Sequence, residues 1–376
     1  MLAAGCWQAA TVHFNYGGNW TGLFCTGSLE RIPPEFSAGT YVFPDSHGYD
    51  GQFYRYMAHD PWFQRGLWRY QDSPMLRSRR ILLPALAWLL AAGQDRFIDA
   101  AYVILILLSV FAGSYWLGRY AVLHGRHPAW GLAFLAVPAT LISIDRLTVD
   151  VALLALCAGF AWYVKKGSLA GLCIVLALAG LTRETGFLLV AACVLCAMLR
   201  RQWRRALLFS ATCAPALAWF WFTAQHVAGK ITHSPLYVPR WLYRFAGGGV
   251  FAKLFEPSSY PGFPIYVARI VQAADTIALC GFILALGFAL WGWWRSFDEE
   301  RCAALLFTLL ALVLTDPGYW AEVYAYGRPF SPVVFFVGLR GIAGGPAATL
   351  APAVLMDLRV GVQLTSQVWR ILRGLL

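Results

Sequence analysis

The run Gly48-Tyr49-Asp50-Gly51-Gln52-Phe53-Tyr54-Arg55-Tyr56-Met57-Ala58-His59-Asp60-Pro61 holds the densest set of side chains able to do chemistry. Asp50 sits between an aromatic residue and a glycine, and a helical pattern then begins that stops at Asp60-Pro61. A carboxylate so placed lies near a helix N-terminus, where the dipole keeps it ionised, and the glycine leaves room for a substrate. Such a group can take a proton from an acceptor hydroxyl or orient it, or it can be only a helix cap. Tyr49, Gln52, Tyr54 and His59 are further candidates for binding substrate, and Asp60 is a second candidate acid.

Three other clusters place ionisable residues beside apolar runs. Asp145-Arg146-Leu147-Thr148-Val149-Asp150 reads as the wall of a shared polar cavity, or as a solvated edge on which Asp150 caps the next helix. In Leu181-Thr182-Arg183-Glu184-Thr185 the charges lie close to hydrocarbon, where such residues usually face a cavity or a partner; a local Arg183–Glu184 surface pair is the simpler alternative. The stretch from Asp316 to Pro329 is rich in aromatic residues, as an interfacial belt would be, yet it carries Glu322 and Arg328 close to the next helix. Asp275 lies well inside an apolar run and reads as a buried hydrogen-bonding residue, or as a proton relay in a transporter.

The elements that hold these residues follow from composition. The chain has 376 residues, 59% hydrophobic and only 13% charged. Soluble domains carry about 25% charged residues, so a soluble enzyme is excluded, as is disorder. The net charge of +11 fits cytoplasmic loops and anionic lipid, with no need of a nucleic acid partner. Six of the nine cysteines lie within apolar runs, Cys193-Val-Leu-Cys196 among them, and read as core residues rather than a disulfide or metal framework. Asn19-Trp20-Thr21 is too short a match to signify glycosylation. There is no phosphate-binding P-loop, no dinucleotide fingerprint and no zinc motif, so no cofactor is indicated and a divalent metal has no motif to support it.

A spanning helix needs roughly 20 apolar residues. Ile98–Gly118, Pro128–Ile144, Val149–Val164, Ala206–Thr223 and Ile270–Trp294 meet that need. Ser168–Leu181, Gly186–Leu199, Ala303–Thr315, Phe330–Leu339 and Ile342–Leu355 are shorter candidates. The expected fold is therefore all-α, a polytopic transmembrane bundle of about 9–11 spans. Met1–Phe14 reads as the end of a first helix too short to span.

Basic residues set the orientation. Alternate connections carry Arg119 and Arg126, Lys165 and Lys166, Arg200, Arg201, Arg204 and Arg205, then Arg295 and Arg301, whereas those between carry one each: Arg96, Arg146, Arg183 and Arg328. The first set is expected to be cytoplasmic. The second faces outward, with a first loop over residues 15–80 and a second over 224–263. Ile81–Gly93 is apolar but short, follows Arg77, Arg79 and Arg80, and fits a helix lying in the outer interface. Central spans then cover 98–223 and late spans 264–340, leaving 341–376 as a C-terminal hydrophobic and amphipathic segment.

With these clusters placed, the region from Tyr41 to Arg340 resembles bacterial integral-membrane glycosyltransferases of the GT-C type. The resemblance rests on Tyr49-Asp50-Gly51-Gln52-Phe53-Tyr54, Arg79-Arg80-Ile81-Leu82-Leu83-Pro84, Leu181-Thr182-Arg183-Glu184-Thr185 and Tyr326-Gly327-Arg328-Pro329, in that order and with consistent sidedness. The layout is similar to that of protein O-mannosyltransferases and the lipid A aminoarabinose transferase. It implies a GT-C-like fold in the bacterial inner membrane, its site facing outward. It also implies a polyprenyl-phosphate-linked sugar donor, a glycan, lipid or protein acceptor, and an inverting transfer with Asp50 as base or acceptor-orienting group. Arg183 and Arg328 would hold the carrier phosphate, with Arg79, Arg80, Asp145, Asp150, Glu184 and Glu322 completing the substrate site. The chain departs from some relatives in having a lone Asp50 where they have a paired Asp-Glu, which leaves Asp60 for the second acidic role. A lipid or solute transporter with the same outer cavity, or a non-catalytic partner in polysaccharide assembly, are the readings from other classes.

Overall fold

The computed structural model describes residues 1–227, 247–255, 258–260, 262–293, 297–314, 317–320 and 322–376. Among them helices dominate, and the strands β1 (Thr26–Gly27) and β2 (Val42–Phe43) form one short parallel pair. The all-α class stands. Four helices are long and apolar enough to cross a membrane: Asp95–Leu123, Trp203–His226, Ile265–Gly292 and Ala347–Leu375. They leave Phe111, Leu217, Trp221 and Ile270 exposed, a surface suited to lipid. The chain is a membrane protein by this measure.

The larger number of full-length spans expected from hydropathy is not met among the described residues, and the causes are local. After α1 (Leu2–Asn15), α2 (Gly51–His59), α3 (Leu82–Leu90) and α4 (Asp95–Leu123), the run expected to span at Pro128–Ile144 breaks in two. A 3-10 stretch, Pro128–Ala136, meets α5 (Pro138–Arg146) at 65°. Pro138 forces this break: proline lacks an N–H for the preceding turn and pushes Val137 into extended backbone, φ −116° and ψ 129°. Next come α6 (Asp150–Lys166), α7 (Leu169–Thr182) and α8 (Phe187–Leu199). The last two have 14 and 13 residues, about 20 Å at 1.5 Å per residue, short of a ~30 Å hydrocarbon core. The expected Ala206–Thr223 span is present within Trp203–His226, with a local irregularity at Thr212–Cys213 that separates α9 (Trp203–Ala211) from α10 (Ala214–His226).

The late helices are α11 (Ile265–Trp293), α12 (Glu299–Val313), α13 (Val323–Ile342) and α14 (Ala351–Leu375). In the segment from 341 onward, α14 packs along α11, α13 and α1. Arg359 of α14 is fully buried and donates to Asp275 of α11 at 2.7 Å. The Tyr260 hydroxyl also donates to Asp275, at 2.5 Å, so this deep acid has two partners. Helix α3 exposes Leu86, Leu89 and Leu90 and turns into α4 through Ala92 and Gly93, both at positive φ.

The two sets of connections separate to opposite ends of the bundle. At one end Tyr120 donates to Glu300 at 2.9 Å, Lys165 pairs with Glu300 at 3.6 Å and Arg200 with Glu299 at 2.5 Å. At the other end lie Asp50, Asp150, Arg183 and Arg328. Arg295, Asp316 and most of the loop over 224–263 fall outside the described residues. The sidedness expected from charge gives a direct test: Lys166→Cys should resist a membrane-impermeant maleimide in intact cells, while Ala38→Cys in the first loop should label. The reverse pattern overturns the orientation.

Candidate functional site

Asp50 is held by a compact knot in the first loop. The β1–β2 pair brings Cys25 close enough for its carbonyl to accept from the Tyr49 amide at 2.8 Å. Gln52 braces the knot, accepting from the Gly27 amide at 3.3 Å and donating to the His47 carbonyl at 2.8 Å. Helix α2 starts one residue after Asp50, yet the Asp50 side chain makes no capping hydrogen bond. Capping alone does not account for it.

Instead Asp50 accepts from two guanidiniums, Arg77 at 2.7 Å and Arg328 at 2.8 Å. Burial pushes its carboxyl up, but Arg328 and Arg77 outweigh burial and hold it well below the usual carboxylate range. It stays ionised where free carboxylates titrate. Arg328 also reaches Asp150 at 3.4 Å, and Asp150 pairs with Arg183. The Arg328 guanidinium is oriented by its Nε–H bond to the Tyr324 carbonyl, 2.8 Å, and lies 4.4 Å from the centre of the Tyr49 ring. The Tyr49 hydroxyl donates to the same carbonyl at 2.8 Å. Arg80 completes the cluster: it is bidentate to Glu184 at 2.6 and 3.0 Å and donates to the Tyr54 hydroxyl at 2.9 Å.

Local structure explains the convergence. Asp150 lies in the first turn of α6, where a carboxylate complements the helix dipole. Arg183 ends α7 in extended backbone, φ −160° and ψ 146°, and its side chain runs to Asp150. Asp50 and Tyr54 are four residues apart and share a face of α2. Not every donor is satisfied. The buried Nε of Arg183, the Nε of Arg79 and the Thr185 hydroxyl have no hydrogen-bond partner. Arg79 stacks at 5.2 Å over Phe220, which packs on Phe187, three positions past Glu184.

Other sequence candidates lie elsewhere. Gln52 is committed to the loop, as above. His59 sits between Asp95, 3.0 Å, and Asp99, 3.1 Å, and Arg55 also binds Asp99. Asp60 is buried and accepts from the Leu67 amide at 3.1 Å, so it holds a turn and does not join Asp50. Asp145 is fully buried against Arg146 at 3.0 Å. Glu322 stands apart from the guanidinium cluster, 3.9 Å from Arg359. Arg77 is the partner that sequence reasoning left out, though it belongs to the same basic run as Arg79 and Arg80. Among the described residues no group of three or more His, Cys, Asp or Glu side chains is placed to hold a metal.

The glycine beside Asp50 has a different role from the one expected. A Cβ on Gly51 would sit 2.5 Å from the Arg146 carbonyl oxygen and 3.0 Å from that of Phe24. The space is filled by the protein's own backbone, not left for substrate. Gly51→Ala should therefore push α2 off α5 and lower stability by about 1–3 kcal/mol, the usual cost of overpacking, read by thermal unfolding in detergent. An unchanged midpoint would show that α2 is not seated there.

No family model matches the chain, and neither a curated protein nor a solved structure matches it.

Proposed function

We propose that the protein is a membrane glycosyltransferase of GT-C-like layout that moves a sugar from a polyprenyl-phosphate carrier to an acceptor. The orientation inferred from charge puts the site on the outer face of a bacterial inner membrane. One observation carries the reading: Arg183, which pairs with Asp150 beside Arg328, keeps a buried Nε–H with no hydrogen bond, Glu184 lying 3.8 Å away, and Arg79 keeps a second buried Nε–H with none. Unsatisfied buried donors are costly, and cationic ones match an incoming phosphate in charge and geometry. The deep acid Asp275 is already engaged by Arg359, which favours this reading over a transporter with a free proton relay.

In the transfer, the acceptor oxygen attacks the anomeric carbon as the bond from that carbon to the phosphate oxygen breaks. The polyprenyl phosphate leaves with the bonding electron pair, stabilised by Arg183, Arg79 and Arg328. The acceptor proton passes to Asp50, or, where Asp50 only orients the hydroxyl, to an oxygen of the departing phosphate. Arg80 and Glu184 hold the Arg183–Gly186 turn in place, and Tyr54 links that pair to α2.

Asp50→Asn keeps the size of the side chain and most of its hydrogen bonds but cannot accept the proton. Turnover of a polyprenyl-phosphate sugar should fall by roughly 10²-fold. A merely structural Asp50 predicts near-normal turnover in the folded variant.

The phosphate role is tested separately, by binding of radiolabelled polyprenyl phosphate to the protein in nanodiscs. Arg183→Ala and Arg79→Ala should each weaken binding about tenfold or more, the value of one charge-assisted hydrogen bond. Lysine should restore it only in part, since it lacks the planar fork. Equal binding by both alanine variants removes the proposal.

A further inference from the structure

Beside Tyr49 lies a cleft of about 310 Å³. Ser46, Tyr49, Arg146, Glu322, Tyr324 and Gln363 line it. Its volume is at the lower end for small-molecule sites, room for one ring rather than a chain. Its charge does not suit phosphate. Among the described residues Arg146 is the one cation in the lining, and it is already held by Asp145 at 3.0 Å and by the Cys25 sulfur at 2.8 Å. The Glu322 carboxylate, 39% exposed, would repel an anion. What the cleft offers is a carboxylate acceptor, an amide that both donates and accepts, and aromatic rings, the set that recognises a sugar ring.

Two further observations point to a ligand. Tyr324 is 3% exposed and its hydroxyl is buried with no hydrogen-bond partner, a costly arrangement unless another molecule completes it. Moreover, α14 sets two of the walls through one side chain. Arg359 donates to Gln363 at 3.1 Å and lies 3.9 Å from Glu322. The Tyr324 carbonyl meanwhile holds both Tyr49 and Arg328, so cleft and cluster share a wall.

We propose that this cleft is the subsite for a neutral, hydroxyl-bearing sugar ring of the acceptor, with Glu322, Tyr324 and Gln363 as its hydrogen-bonding residues and Arg359 as their positioning residue. Its identity as acceptor rests on the transferase reading; the binding of a sugar ring does not.

Saturation-transfer NMR on the full chain in nanodiscs tests it, using methyl glycosides of glucose, galactose, mannose and N-acetylglucosamine, with inorganic phosphate as competitor. At least one glycoside should receive saturation, and phosphate should not displace it. Gln363→Ala and Tyr324→Phe should each weaken that binding about tenfold, roughly one hydrogen bond. Tyr324→Phe removes only an unpartnered hydroxyl, so its unfolding temperature should be equal to or above that of the parent. Lost sugar binding at full stability is a result no structural role gives. No transfer to any glycoside, equal transfer in both variants, or displacement by phosphate overturns the subsite. If polyprenyl phosphate fails to bind while the glycoside result stands, the transferase reading falls and the sugar site remains.

Discussion

The guanidinium of Arg328, shared between Asp50 and Asp150, is the interaction on which the rest of the site depends. Its partners stand 278 and 178 positions away in the chain, in the first loop and at the start of α6. All three side chains are largely removed from solvent, with exposures of 11, 15 and 2%. Taking such charges out of water costs several kcal/mol each, and only close opposite charge offsets it. Loop, α6 and α13 can therefore be buried together or not at all. Removing one member strands the others as uncompensated buried charge.

The irregular helices bring these charges within reach. A straight helix through Pro128–Ile144 would run on past the first loop; the 65° bend at Pro138 instead turns the end of α5 back against it. The Arg146 carbonyl then lies against Gly51, directly beside Asp50. Helices α7 and α8 are short, and the turn between them delivers Arg183 and Glu184 to the end of the bundle where Asp150 begins α6. The turn between α7 and α8 lies in the bundle end that holds the charges. Backbone irregularity in a membrane protein is tolerated where protein or a polar cavity satisfies it, and this end of the bundle supplies both.

How much of this could be read from sequence depended on range. Long apolar runs identified α4, α6 and α11 to within a few residues at most ends, because hydropathy sums over a whole turn or more. It could not see the bend at Pro138, since an apolar run looks the same straight or broken. It undervalued α14, whose Asp357, Arg359, Gln363 and Gln367 lower the average although Arg359 is fully buried. The four polar clusters were legible as clusters, whereas their pairings were not, because partners far apart in sequence leave no local period. Within α2 the helical period does discriminate. Tyr54 lies four residues from Asp50 on its face and reaches Arg80, while Gln52 and His59 point to other faces and bind the loop and α4.

The strength of the Asp50–Arg328 pair has a consequence for any group-transfer chemistry at this site. A carboxylate gripped by two guanidiniums is a poor proton acceptor, and in that state it would activate water no better than it activates an acceptor. In the transferase reading, the carrier phosphate is a competing anion for Arg328, with one negative charge while it holds the sugar and a second developing as the bond to the sugar breaks. Drawing that guanidinium toward the phosphate leaves Asp50 with Arg77 alone and raises its proton affinity, since the nearest opposing charge has moved away. Base strength would then rise only when the donor is bound. The same movement places positive charge where the leaving group develops its own negative charge, so one side chain serves both halves of the displacement. A stronger base, free of Arg328, would be ready at all times and would give up the coupling between donor occupancy and acceptor activation.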